Sequence, residues 1–370
     1  MSLANKRLFS DIQDFGITQK CALINAFWPH LNISESDYFE DEYTALFGYW
    51  GEVLKSLRPF GHEFATEEWD GMLAILTQLS FGRDTKKEVL VSDFKKKHQN
   101  IGDKAIACSV ELAVRLWIGI NVRSKGLFVG PEKLKVSYIR WQNDQSLKET
   151  VAAPFINNRR KARSASIFLF DDSFTAVGLK DICRLEILWT DNLADHLRLH
   201  GSRGERQLSI YKHKICLINH RKEPEPMLIP KDLLDETICT LDLLFPEGDE
   251  PTETFLNDEK VQMWIANSID IPQAIELDDF EFWRSRLSQL LSLFYGPPET
   301  VRQTLLDRRN TAQFATIWVT IFGVFFLTIL FGVLSTVYSA KQYNVAVDSY
   351  KLALAQACQQ ISPPLLGYCT

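Results

Sequence analysis

Apolar residues recur at helical spacing through much of the first 150 positions. Trp69, Met72, Leu73, Leu76 and Leu79 share one face, with Glu67 and Glu68 at the start and Gly82 just past the end. Ile106, Val110, Ala113, Val114 and Trp117 form a second stripe. Between them, Lys95-Lys96-Lys97-His98 reads as the solvated end of a shorter helix. After Pro230, the residues Leu233, Leu234, Ile238, Leu241 and Phe245 predict an amphipathic helix stopped by Pro246. Phe280, Trp283, Leu287, Leu290, Leu291 and Phe294 predict another, ended by Gly296-Pro297-Pro298. Between them and the N-terminal half the periods are mixed. Ser173 can cap a helix through Leu179, Leu185 to Trp189 reads as a strand, and Asp191 can cap a helix carrying Leu193 and Leu197. From Leu208 to Asn219 the pattern alternates, with Tyr211, His213, Ile215 and Leu217 on one face, which predicts a second strand. Helix, strand, helix and strand in that order make a small mixed unit, which a winged-helix arrangement would close.

One stretch departs from all of this. Phe314 to Val337 is a run of 24 residues without a charge, 17 of them apolar. As a helix it would be about 36 Å long, against a hydrocarbon core of about 30 Å. Trp318 and Tyr338 flank it where amphipathic rings favour the headgroup region. The fold class expected is therefore α+β: a predominantly helical soluble body with a small helix/strand unit, then one C-terminal transmembrane helix. The expected divisions are a helical region at 1–150, a basic linker at 151–165 and an α+β region at 166–298. A juxtamembrane helix at 299–313, the membrane helix at 314–337 and a tail at 338–370 follow. Thr316, Thr320, Thr328, Gly332 and Thr336 make a small-residue stripe that would suit self-association of the membrane helix.

Composition sharpens this picture in two ways. The chain of 370 residues is 46% hydrophobic and 24% charged, which excludes a disordered or collagen-like protein. Its net charge is −6, and Lys341, Lys351 and Asp348 are the charged residues from 314 onward, so the body carries −7. That argues against non-specific nucleic-acid binding, which needs a cationic field. Cys21, Cys108, Cys183, Cys216 and Cys239 lie in the body without a CxxC pair and read as reduced cytosolic thiols. Cys358 and Cys369 lie beyond the apolar run and can pair if the tail is lumenal. The N-terminus has no signal-peptide pattern, so the expected location is a membrane, with the body in the cytosol, much as in a tail-anchored protein. Arg302, Arg308 and Arg309 before the run, against Lys341 and Lys351 after it, agree weakly. The Asn32-Ile33-Ser34 sequon should then stay unmodified.

Candidate chemistry is sparse. His196 and His200, four apart, would share a face if they lay on a helix, with His213, Cys216 or His220 as a third metal ligand. The zinc-protease pattern, however, needs Glu where Leu197 stands. There is no Gly-x-Ser-x-Gly, phosphate loop or dinucleotide fingerprint. Asp171-Asp172 and Asp278-Asp279 read as acidic helix starts, and Asn157 to Arg163 as an exposed basic loop. No catalytic, cofactor-binding or metal residue is assigned, and no cofactor is expected.

Three blocks carry a family resemblance. Leu185 to Leu199 (LEILWTDNLADHLRL), Leu228 to Phe245 (LIPKDLLDETICTLDLLF) and Asp307-Arg308-Arg309-Asn310 before a Trp- and Phe-rich helix resemble a family of uncharacterised filamentous-fungal proteins. The resemblance covers mainly 165–340. It implies a large soluble region with a C-terminal membrane segment and a fungal source, but no activity. The leading expectation is a single-pass membrane-anchored protein whose partners are the lipid bilayer, through 314–337, and another protein held at the membrane surface. A membrane-tethered enzyme, metal-dependent through His196 and His200, is the alternative. A winged-helix unit binding nucleic acid through Arg203, Arg206 and Lys212 comes third.

Overall fold

The computed structural model describes residues 3, 6–97, 101–124, 137–159, 169–202, 205–265, 276–296 and 311–360. Helices dominate the first half: α1 (Ile17–Phe27), α2 (Glu40–Leu57), α3 (Trp69–Phe81), α4 (Lys87–Lys97) and α5 (Asp103–Ile118). The two stripes of the sequence are the buried faces of α3 and α5, which pack on each other. Gly82 ends α3, and Gly119 ends α5 in the left-handed conformation at φ 59°. A two-stranded parallel pair, β1 (Val122–Arg123) and β2 (Ile139–Arg140), leads into α6 (Leu147–Arg159).

The second half begins with α7 (Ala176–Cys183) and β3 (Glu186–Thr190). β4 (Arg198–His200), β5 (Gln207–Tyr211) and α8 (Lys214–Arg221) follow, then α9 (Lys231–Leu244), α10 (Glu250–Glu259) and α11 (Arg284–Phe294). The sheet order is β3-β5-β4, with β3 parallel and β4 antiparallel to β5. The fold expected from the sequence, helical with a small mixed unit and one long apolar helix, is the fold observed.

Several local expectations are corrected. Thr175, not Ser173, caps the first helix, its hydroxyl accepting the Gly178 N–H. Asp191 does not start an α-helix: one 3-10 turn spans Leu193–Asp195, Leu197 adopts φ 57°, and β4 follows. The reason is local competition, because Asn192 and Asp195 spend their side chains on Ser137 instead of on a helix start. The alternation from Leu208 is a strand only to Tyr211; Ile215 and Leu217 sit on α8, whose side chains are buried almost all round. A buried helix shows no polar face, so its period was masked.

α11 starts at Arg284, later than its apolar stripe, and its start is held by a remote carboxylate. Glu236 of α9 accepts the N–H groups of Glu281 at 2.8 Å, Phe282 at 3.0 Å and Trp283 at 2.5 Å. Trp283 is fully buried, and its indole donates to Thr237 Oγ1 at 2.8 Å. The linker expected at 151–165 is occupied in its first part by α6, and 160–168 lie outside the described residues. Phe155 of α6 packs edge-on against Trp283, 5.6 Å between ring centres, so α6 is tied to the C-terminal half. Met1 to Glu299 is one compact unit.

The second unit, Thr300–Thr370, is described through a single helix, α12 (Thr311–Gln360). The expected juxtamembrane helix at 299–313 falls largely outside the described residues. From Ala315 to Gln359 the helix is long and apolar enough to cross a membrane, with a mean hydropathy of 2.5 in its most apolar stretch and none of that stretch buried. The helix does not stop at Val337 but continues through most of the segment expected as a tail, running 50 residues to Gln360. At about 1.5 Å per residue that is roughly 75 Å. The threonines of the small-residue stripe turn inward: Thr320, Thr328 and Thr336 donate to the carbonyls four residues back at 2.7–2.8 Å. Their hydroxyls are satisfied within the helix, so the stripe presents methyl groups to its surroundings.

Replacing Glu236 with Ala leaves three N–H groups without their acceptor. We expect a loss of roughly 2–4 kcal/mol, read as a fall of about 5 °C or more in the thermal midpoint of the body. Glu236→Gln keeps one acceptor oxygen and should lose less. An unchanged midpoint in the alanine variant would show that water replaces the carboxylate.

Candidate functional site

The block from Asp191 to His200 is the densest set of polar side chains in the body, and it is mostly buried. Asn192 donates to the Ser137 carbonyl at 3.0 Å and to Asp195 Oδ2 at 2.8 Å, and accepts the Asn121 N–H at 3.2 Å. Asp195 accepts the Ser137 N–H at 3.1 Å, the Ser137 hydroxyl and the Arg198 guanidinium. Burial pushes its carboxyl up, but these donors, Ser137 foremost, outweigh that and hold it below its usual range. Arg286 of α11 reaches across and donates to the carbonyls of Ala194, at 3.0 Å, and His196.

His196 is completely buried, and its proton can be placed from its partners. The Tyr211 N–H donates to Nδ1 at 3.2 Å, so Nε2 carries the hydrogen and donates to Thr240 Oγ1 at 2.7 Å. Thr240 passes its own hydrogen to the Thr237 carbonyl at 2.6 Å. Burial first, and Arg286 second, hold the imidazole neutral, well below its ordinary pKa. His196 thus fastens β5 to α9. His200 lies on β4 and meets Ser209 Oγ of β5 at 3.1 Å. The two histidines are not on one helix, and the shared face that a metal pair requires does not form.

The other expected ligands are engaged elsewhere. His213, also fully buried, meets Asp191 Oδ1 at 2.9 Å. Lys212 binds the same carboxylate at 3.1 Å, and the pair draws Asp191 down to about 2 although burial pulls the other way. Cys216 and His220 both face the Trp117 carbonyl of α5, at 3.7 and 3.1 Å. Nδ1 of His220 faces Glu223 at 3.7 Å, and Glu223 in turn pairs with Arg83. Burial alone would lower His220, but Cys216 and Glu223 override it and raise the imidazole to about 9. Among the described residues, no three His, Cys, Asp or Glu side chains are grouped to hold a metal ion. The acidic pairs are structural as well, with Asp171 accepting from Ser173 and Tyr295 and Asp278 paired with Arg284. For the nucleic-acid alternative, Lys212 is tied to Asp191, Arg206 lies at the start of β5, and Arg203 is outside the described residues.

An open pocket of about 680 Å³ lies at the end of the sheet where β3 and β5 begin and β4 ends. The strand registers set Glu186, Gln207 and His200 side by side in one row across the three strands. Gln207 donates to Glu186 Oε2 at 2.6 Å. Arg184, Arg206, Gly201 and Glu205 complete the lining. Gly201 stands at φ 87°, and a Cβ there would lie 2.2 Å from the Glu205 carbonyl, so this turn requires glycine. The linear sequence does not mark this pocket, because strand pairing creates it from three short segments. No protein-family model, curated protein or solved structure matches the chain.

The histidines give opposite pH responses. His196 and His213 are held below their ordinary pKa, so the unfolded chain takes up more protons as pH falls through about 6.5, and acid destabilises the body through them. His220 is raised, so its contribution is complete below about 6.5 and is lost as pH rises through about 9. Urea midpoints at pH 5.5, 7.5 and 9.5 should therefore peak in the middle. His220→Gln should flatten the alkaline limb alone; an unchanged alkaline limb would remove His220 as its origin.

Proposed function

We propose that this chain is a single-pass membrane protein that presents its N-terminal body to the cytosol as a protein-interaction module. The observation that carries the topology is the division of its cysteines. Cys21, Cys108, Cys183, Cys216 and Cys239 of the body form no disulfide, while Cys358, beyond the apolar run on α12, is disulfide-bonded. Its expected partner, Cys369, lies outside the described residues. Thiols persist in the reducing cytosol and disulfides in oxidising compartments, so the two ends fit opposite sides of a bilayer. The exposed apolar surface of α12 supplies the span.

The interaction reading is supported by how the body uses its reactive side chains. His196, His213, His220 and Cys216 are buried and bonded to the protein's own groups. A substrate could not reach them without opening the core. What the body offers outward is a shaped surface at a fixed place on a membrane. The resemblance to the fungal family accords with this architecture.

Protease protection on intact membranes, with a tag at each end, tests the topology. The N-terminal tag should be lost and a C-terminal fragment of α12 retained until detergent is added; the reverse pattern overturns the orientation. Asn32 gives an independent check, since it is exposed, at φ 45°. A glycosidase should leave the mass unchanged, and a glycan on Asn32 would place the body in the lumen. Capture from cross-linked membranes should recover a stoichiometric protein partner, and recovery of the chain alone counts against the module.

A further inference from the structure

β3 is an edge strand with a pocket at its beginning. The Glu186 N–H donates to the Arg206 carbonyl at 3.0 Å, and Thr190 accepts the Lys212 N–H at 3.2 Å. In the parallel register between these ends, Glu186, Leu188 and Thr190 turn their backbone groups to β5. Ile187 and Trp189 therefore aim theirs the opposite way. Among the described residues, none pairs with those two N–H and two C=O groups. The side chains of Ile187, Leu188 and Trp189 are only half-buried. Such an edge is a template for an added strand.

Arg184 is the second, independent feature. It ends α7 in the left-handed conformation at φ 57°, where glycine is the usual residue. A side chain there costs on the order of 1 kcal/mol. Arg184 is exposed, is one of the residues lining the pocket and forms no ion pair among the described residues. Arg184, Arg206, Glu186 and Glu205 all belong to the pocket lining, so its formal charges balance. That balance suits one carboxylate better than a polyphosphate.

We propose that the edge of β3 and this pocket form one site for the carboxyl-terminal segment of a partner protein. The terminal carboxylate sits on Arg184 at the beginning of β3. The segment then runs antiparallel to β3, bonding the outward groups of Ile187 and Trp189. This rests on the interaction reading and specifies its mode.

The test uses the full chain in lipid nanodiscs and an array of ten-residue peptides, each made with a free carboxyl terminus and as the carboxamide. A subset should bind in the free form and weaken about tenfold or more as amides, the loss of one charge-assisted contact. Arg184→Gly should weaken the same peptides to the same degree. Glycine relaxes the backbone at this position, so its thermal midpoint should equal or exceed that of the parent, which separates lost binding from lost folding. N-methylation of the peptide groups facing β3 should also abolish binding. The proposal is overturned if amides bind as well as acids, if Arg184→Gly binds like the parent, or if no peptide binds. A partner captured equally by the parent and Arg184→Gly would leave the interaction reading standing and remove this site alone.

Discussion

The body depends on one constraint: an irregular stretch of chain, 191–197, is largely buried, so its polar groups, side-chain and backbone alike, must find partners. An unpaired buried carbonyl or N–H costs on the order of 1–3 kcal/mol. The solution draws on distant parts of the sequence. Asn121 and Ser137 come from the N-terminal half, Tyr211 from β5, Thr240 from α9 and Arg286 from α11. Each supplies a group that no local neighbour can. Because the partners span more than 160 positions, the stretch ties both halves of the body into one compact unit.

The same logic explains which parts of the fold the sequence made legible. α3, α5 and α9 each have one apolar face and one wet face, so their period is visible in the residues themselves. α12 is visible for the opposite reason, as a long run with no charge. The segment of α8 has the pattern of a strand because burial on nearly all sides removes the polar half of the helical pattern. The 191–200 stretch was read as a helix because Leu193 and Leu197 have the right spacing. Their spacing is real, but tertiary hydrogen bonds from Ser137 and Arg286 decide the backbone there. A pattern one element long cannot contain that information.

Candidate chemistry followed the same division. The sequence drew attention to His196 and His200 because they are four apart, yet the structure uses one to join β5 to α9 and the other to join β4 to β5. Arg184 and the outward backbone groups of Ile187 and Trp189 attract no notice in the linear chain. Their relation comes from strand register, and register is settled by which faces are buried.

The unbroken length of α12 has a consequence for which bilayers suit it. An apolar run of about 36 Å exceeds an average hydrocarbon core and is a closer match to a sterol-rich bilayer of about 32–33 Å than to one of about 27 Å. In the thin bilayer tilt would take up the excess length, and because α12 runs unbroken past Val337 to Gln360 its far end would lean with it. Membrane thickness would then set the angle at which the far end of the helix, and the disulfide at Cys358, stands to the surface. In a bilayer, a helix of this length would act as a gauge of its thickness.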